Sequence, residues 1–272
     1  MISFPNCKIN LGLHVIARNP DGYHELETVF YPLPAVHDML EIIRADGPAT
    51  TLAISGLPVP GDVESNLCIK AYELLKKDFS ALPSLSAHLH KVIPMGAGLG
   101  GGSADGAAML QLMNDCFHLG LPVTTLQEYA AKLGSDCAFF ILNSPCIAGG
   151  RGDVLHPVSL DLSPYSLLLV CPPVHVDTAW AYRQIVPQRP QQRLEEIIST
   201  PVTQWPGKLV NHFEEPVFRA HPEIKEIRQR LYDAGAYYAA MSGSGSAVFG
   251  IFGKNKIADL RWESGYQLFV IP

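Results

Sequence analysis

Pro94-Met-Gly-Ala-Gly-Leu-Gly-Gly-Gly-Ser-Ala-Asp-Gly-Ala-Ala108 holds five glycines ahead of Ser103. Glycine loses more backbone entropy on ordering than any other residue, so this density suits neither a helix nor a strand interior. What it does suit is a backbone that must come close to an anion. Directly behind it, Ser103 is placed to cap a helix whose first turn holds Ala104 and Asp105 and whose body runs through Ala107, Ala108, Met109, Leu110, Leu112 and Met113. A glycine loop running into a helix start presents N–H groups and the positive end of the helix dipole to a phosphate.

Gly96, Gly98 and Gly101 satisfy the dinucleotide pattern G-x-G-x-x-G, but their surroundings do not. The expected strand Leu85–Ile93 is cut off by Pro94, the motif lies a third of the way along the chain, and no strand ending in an acidic residue follows the helix. A Walker loop ends in Gly-Lys-Ser/Thr, and no lysine separates Gly102 from Ser103. The H-R-D and D-F-G elements of protein kinases are missing from the sequence. A plain flexible turn would leave the helix behind the loop without a purpose.

The chain has 272 residues, enough for one large domain or two ordinary ones, and 47% are hydrophobic. A net charge of −6 with no run of Lys or Arg argues against a nucleic-acid partner. Residues 1–11 include Pro5, Asn6, Lys8 and Asn10 and read as no secretory signal, and no apolar run reaches membrane-spanning length. The expectation is a soluble cytoplasmic protein with no membrane partner. Cys7, Cys68, Cys116, Cys137, Cys146 and Cys171 show no C-x-x-C pair and read as buried free thiols rather than a zinc site or disulfide framework.

Outward from the loop, Ser3 to Val15 alternates as a strand with Lys8 and Asn10 on one face. Pro20-Asp21-Gly22 turns the chain, with Tyr23 and His24 at the exit, into an apolar strand from Leu26 to Leu33. Met39–Ala45 and Thr50–Ser55 read as strands, Asn66–Phe79 as an amphipathic helix and Thr125–Leu133 as a shorter one. Asp136 opens the apolar segment Cys137–Leu142, either as an N-cap or as a carboxylate held for chemistry. Further strands are expected at Ser166–Cys171 and Ala247–Phe252, with helices beginning at Thr178 and covering Leu209–Phe218 and Pro222–Ala234. The Pro- and Gln-rich stretch 187–207 reads as a surface excursion, and a domain boundary is placed near residue 155, giving domains 1–155 and 156–272. The second small-residue loop, Met241-Ser-Gly-Ser-Gly, is suited to approach the first.

The lysine strand, the Pro94–Ser103 loop and Met241-Ser-Gly-Ser-Gly together resemble the GHMP small-molecule kinases. Lys8-Ile-Asn-Leu, Asp21-Gly-Tyr-His-Glu-Leu-Glu-Thr and Leu133-Gly-Ser-Asp resemble the branch acting on a cytidine-diphosphate-linked methylerythritol in non-mevalonate isoprenoid synthesis. The resemblance covers most of the chain and implies an α+β fold. It implies a ribosomal-protein-S5-like N-terminal domain that binds ATP, a ferredoxin-like C-terminal domain, and an active site in the cleft between them. Lys8 and Asp136 would be the catalytic pair, and ATP phosphates would lie on Pro94, Met95, Gly96, Ala97, Gly98, Leu99, Gly100, Gly101, Gly102, Ser103 and Ala104. Adenine would lie near Asn66, Leu67 and Lys91, the cytidine end near Asn10, Tyr23 and His24, and the methylerythritol near Thr178. Mg2+ would arrive with ATP without a dedicated protein site, and a monomer or weak homodimer is implied. Three positions depart from the family pattern: Gly106 for alanine, Cys137-Ala138 for Val-Pro, and Asp153 for glutamate.

Overall fold

The structure, a computed structural model, describes residues 1–20, 22–257 and 260–272; Asp21 of the expected turn lies outside them. In chain order the strands are β1 (Ile2–Ser3), β2 (Asn6–Arg18), β3 (His24–His37), β4 (Met39–Arg44), β5 (Thr51–Gly56), β6 (Leu85–Lys91), β7 (Cys146–Gly149), β8 (Val154–Pro157), β9 (Tyr165–Cys171), β10 (Tyr238–Met241), β11 (Val248–Gly253) and β12 (Gln267–Ile271). The helices are α1 (Leu67–Asp78), α2 (Gly101–Cys116), α3 (Val123–Leu133), α4 (Cys137–Leu142), α5 (Thr178–Gln184), α6 (Leu194–Ile198), α7 (Glu214–Ala220) and α8 (Pro222–Asp233). The fold is α+β, as the resemblance implied. Two compact units emerge, each built from separate stretches of chain.

The first unit comprises Met1–Lys8, Pro32–Met95 and Gly100–Ser144. Its sheet runs β1-β4-β6-β5. The two strands expected around Met39 and Thr50 therefore do not pair with each other, because β6 lies between them, antiparallel to β4 and parallel to β5. On β6 the side chains alternate: Leu85, Ala87, Leu89 and Lys91 are buried, while Ser86, His88 and His90 are half-buried on the other face. This two-residue period places a lysine ammonium among core side chains. Helix α2 is small-sided and buried from Ala104 to Met113 apart from Gln111, as befits a helix covered by α1, α3 and α4. It starts at Gly101 with Gly100 as N-cap and no side-chain cap. Ser103 thus sits inside the first turn rather than capping it, because the positive φ of Gly100 already redirects the chain.

The second unit comprises Ile9–Tyr31, Gly96–Leu99 and Pro145–Pro272. Its antiparallel sheet runs β10-β11-β9-β12, and the apolar face packs Leu168, Val170 and Val248 against Phe213, Val217, Ile224, Ile227 and Leu231 together with Leu13 and Val15 of β2. β2 and β3 are neighbours in a further sheet, β2-β3-β7-β8, in which Thr28–Phe30 pairs with Cys146–Ala148. Two expectations fail here. Residues 209–213 are not helical: Leu13 donates its N–H to Val210 O at 2.9 Å and accepts from His212 N at 2.8 Å, so this stretch runs alongside β2 and helix begins only at Glu214. The 187–207 stretch is not a surface excursion, since Leu194, Ile197, Ile198, Val202 and Trp205 are buried. Trp205 packs edge-on to Tyr238 and donates its indole N–H to Thr200 O at 3.0 Å.

Candidate active site

Within the first unit, Lys8 Nζ lies 3.3 Å from Asp136 Oδ2. The lysine side chain is 4% exposed and the carboxylate 28% exposed. Asp136 occupies the N-cap position of α4, yet its carboxylate makes no cap hydrogen bond. Of the two roles open to it, the structure fills the lysine pairing and leaves the cap unmade. The start of α2 arrives at the same place. A Cβ on Gly100 would lie 2.9 Å from the Phe140 ring and 3.2 Å from Lys8 Cε, so the glycine there has packing reasons as well as a φ of +73°. Burial pushes the Cys137 thiol up to about 12, while a hydrogen bond with the Ser103 side chain pulls the other way. That contact joins the first turn of α2 to the residue following Asp136.

The first intrahelical bond of α2 is Ala104 N–H to Gly100 O at 2.9 Å, which leaves the N–H groups of Gly101, Gly102 and Ser103 without an intrahelical acceptor. This arrangement fits a phosphate. Pro94 and Met95 lead into the loop, with Met95 Cε 3.3 Å from where a Gly102 Cβ would stand. Asn66 caps α1 by accepting from Cys68 N at 2.9 Å, and Leu67 touches α2 at Gly106. Lys91, expected beside adenine, is placed otherwise. It is 1% exposed, its ammonium bonds Asp38 and Asp105, and its carbonyl accepts from Leu57 N at 2.9 Å. Its ammonium is engaged inside the protein, so its side chain does not reach out toward a ligand.

Within the second unit, Gly96–Leu99 meets the second small-residue loop as expected. Ala247 N donates to Ala97 O at 3.1 Å and Ser242 Oγ to Gly98 O at 2.9 Å. A Cβ on Gly98 would overlap the Ser242 carbonyl, which makes glycine obligatory there. Leu99 and Ala97 are buried, and a side chain at Gly96 would press on His175. Asn10 stands behind this junction, 3% exposed. Its N–H donates to Ser242 Oγ at 3.1 Å and its Nδ2 to Thr28 Oγ1 at 3.0 Å. Thr178, the first residue of α5, is within 2.9 Å of Ser244 Oγ.

Tyr23 is 56% exposed, with the Arg151 guanidinium 3.7 Å from its ring centre. His24 stacks on Tyr182 at 4.9 Å and 23°. Burial first, then the charge of Arg18, lowers the His24 pKa, which keeps the imidazole neutral at neutral pH. Tyr182 and Arg151 escaped the sequence reading. Their spacing from Tyr23 and His24 carries no local signal.

Residues 66–144 match the GHMP kinases N terminal domain and residues 201–261 the GHMP kinases C terminal domain. A relative from Bacteroides fragilis, 4-diphosphocytidyl-2-C-methyl-D-erythritol kinase, is 51% identical over 269 residues, covering 98% of this chain and 97% of its own. A crystal structure of 4-(cytidine 5'-diphospho)-2C-methyl-D-erythritol kinase superposes with a TM-score of 0.77 at 33% identity, covering 92% of this chain and 90% of that one. Homoserine kinase from Cytophaga hutchinsonii, at 18% identity, a TM-score of 0.67 and coverage of 98% and 95%, shares the fold. With both domains matched and half the residues of a near full-length relative retained, this chain is a small-molecule kinase that belongs to the GHMP kinases, in one family with the 4-diphosphocytidyl-2-C-methyl-D-erythritol kinases.

Proposed function

We propose that the protein transfers the γ-phosphoryl of ATP to the 2-hydroxyl of 4-diphosphocytidyl-2-C-methyl-D-erythritol, releasing ADP, as a cytoplasmic step of non-mevalonate isoprenoid precursor synthesis. The observation that carries the reading is the Lys8–Asp136 pair at 3.3 Å with Lys8 Cε against Gly100 at the start of α2. A proton acceptor, a fixed cation and a phosphate-binding helix start are what in-line phosphoryl transfer needs from a protein. The hydroxyl oxygen attacks phosphorus, the bond to the ADP oxygen breaks, and the hydroxyl proton passes to Asp136. Lys8 offsets the charge spread over the transferring oxygens. N–H groups of Gly101, Gly102 and Ser103 hold phosphate oxygens.

Adenine is assigned to the neighbourhood of Asn66 and Leu67; 1–155 is assigned the ATP and, through Tyr23 and His24, the cytidine end of the substrate, and 156–272, through Thr178, its methylerythritol end. The exposed ring of Tyr23 offers a face for cytosine and the neutral His24 a hydrogen-bonding edge. Thr178 faces the methylerythritol, and Asn10 shapes the second loop beneath it. Mg2+ arriving with ATP would be held by the nucleotide's own phosphates and would offset their charge. Similarity to the named kinases supports the substrate assignment. ADP release with Mg-ATP and the cytidyl substrate, run beside homoserine, mevalonate and galactose, tests it. Turnover confined to the cytidyl substrate is expected. Turnover of another alcohol overturns the substrate and keeps the kinase chemistry, whereas ATP binding with silence on all four removes the activity.

A further inference from the structure

One cluster of charges in the first unit has no part in the chemistry above. Lys91 Nζ, 0% exposed, bonds Asp38 Oδ2 and, at 2.7 Å, Asp105 Oδ2. Asp38 Oδ1 accepts from Val92 N at 2.6 Å and Ile93 N at 2.9 Å. Val92 and Ile93 are the last residues before Pro94, and Asp105 lies in the first turns of α2. A Cβ on Gly101 would stand 2.8 Å from Ile93 Cγ2 and 3.4 Å from Lys91 Nζ, so the entry and exit of the glycine-rich loop are packed onto the same three side chains.

A cluster like this is a poor source of stability. Taking two carboxylates and an ammonium out of water costs several kcal/mol per ion, and apolar residues of the same volume are often as stabilising or more so. What charges give that apolar groups do not is directional bonding to chosen partners, here two backbone N–H groups on one side of the loop and a helix on the other.

We propose that Asp38, Lys91 and Asp105 form a buried brace that fixes the two ends of the glycine-rich loop in the register that receives the ATP phosphates. The proposal rests on the assignment of that loop to ATP. All three act as positioning residues, through the loop rather than on the nucleotide. Burial, opposed by the Lys91 charge, raises the Asp105 pKa from 3.8 to about 7, so the brace changes charge in the neutral range. The groups facing it are Lys91 from β6, Asp38 from the segment before β4, and the Cys68 thiol from α1, which burial keeps neutral. Once Asp105 ionises, the brace carries a net negative charge behind a helix start that must attract phosphate.

Two variants of the full-length protein separate positioning from simple structural support. Asp105→Ala removes the tie to α2. Its Kd for Mg-ATP by calorimetry is expected to rise about tenfold or more, with the KM for the alcohol substrate within about twofold of wild type. In Asp105→Asn the side-chain oxygen still accepts from Lys91 and the amide can donate to Asp38, so ATP binding is expected to recover. Its affinity also escapes the Asp105 titration. The ratio of wild-type to Asp105→Asn Kd, in which ionisation of ATP itself cancels, is expected to climb about two- to threefold between about pH 6 and 8. If Asp105→Ala does not fold, Asp105→Ser takes its place in the same comparison. A folded variant with wild-type ATP affinity, or Asp105→Asn binding ATP as weakly as that variant, overturns the brace. Both ATP effects without turnover of the cytidyl substrate would keep the brace and remove the substrate assignment.

Discussion

Asp136 stands where a carboxylate commonly caps a helix, and the two uses of such a residue predict different mutants. A capping carboxylate bonds N–H groups of the first turn, and its loss costs about 0.5–2 kcal/mol of stability. Asp136 makes no such bond, is partly open to solvent, and has Lys8 Nζ at 3.3 Å. Asparagine keeps the volume and the hydrogen-bonding oxygen but cannot take a proton at neutral pH. Asp136→Asn is therefore expected to lower kcat by about 10²–10⁴ with the KM for ATP little changed. A variant that loses thermal stability but keeps most of its kcat would return Asp136 to the cap. In the sequence Lys8 and Asp136 are separated by most of the first unit, and residue spacing cannot pair them. Their pairing was legible only through the resemblance of the segments that carry them. Lys91 was implied beside adenine by the same resemblance, and the alternation of β6 turns its side chain into the core.

At the scale of elements, the glycines of the loop and its helix are set by what stands opposite them. Gly106, where the resemblance implies alanine, is an interior helix residue and lowers the propensity of α2 by about 1 kcal/mol. Yet a Cβ there would stand 2.9 Å from Leu67 Cβ and 3.6 Å from Leu133 Cδ1. Leu67 Cβ is fixed to the backbone of α1 and cannot rotate away, so the first turn of α1 would have to move. Gly106→Ala is thus expected to destabilise the protein by about 1–3 kcal/mol despite the better propensity, read as a fall in Tm. It should also raise the KM for ATP, because α1 begins with the residues assigned to adenine. An unchanged or higher Tm would show that α1 gives way freely. The helices α1, α3 and α8 were legible because their apolar residues keep a helical period, and β9 because it is a short unbroken apolar run. The 187–207 stretch was not: its Pro and Gln residues advertise a loop, and the i, i+3, i+4 spacing of the buried Leu194, Ile197 and Ile198 covers barely more than one helical turn, too short to stand out beside them.

For the whole molecule, the sequence suggested two consecutive domains meeting near residue 155, a natural reading of composition along a chain. Each compact unit draws on separate stretches of chain instead, and residues 9–31 belong with 145–272. The core of the second unit contains Leu13 and Val15 at 4% and 0% exposure. The same strand bonds Val210 and His212, and Asn10 bonds Ser242 of the second loop. Each buried aliphatic side chain contributes about 1.5–3 kcal/mol, a large share of the roughly 5–15 kcal/mol by which a domain is stable. A boundary drawn for function near 155 therefore does not mark a folding unit. Residues 156–272 expressed alone are expected to show no cooperative thermal transition and a weak near-ultraviolet circular dichroism signal. All three tryptophans lie in that fragment, so the signal reports on its packing without interference from the rest of the chain. Adding residues 9–31 and 145–155 to the fragment should restore part of the transition, because that returns the strand the core lacks. A sharp melt of 156–272 by itself would mean that β9–β12 and α5–α8 close a core without β2, and that the contacts of Leu13 and Val15 are additions to a fold already complete.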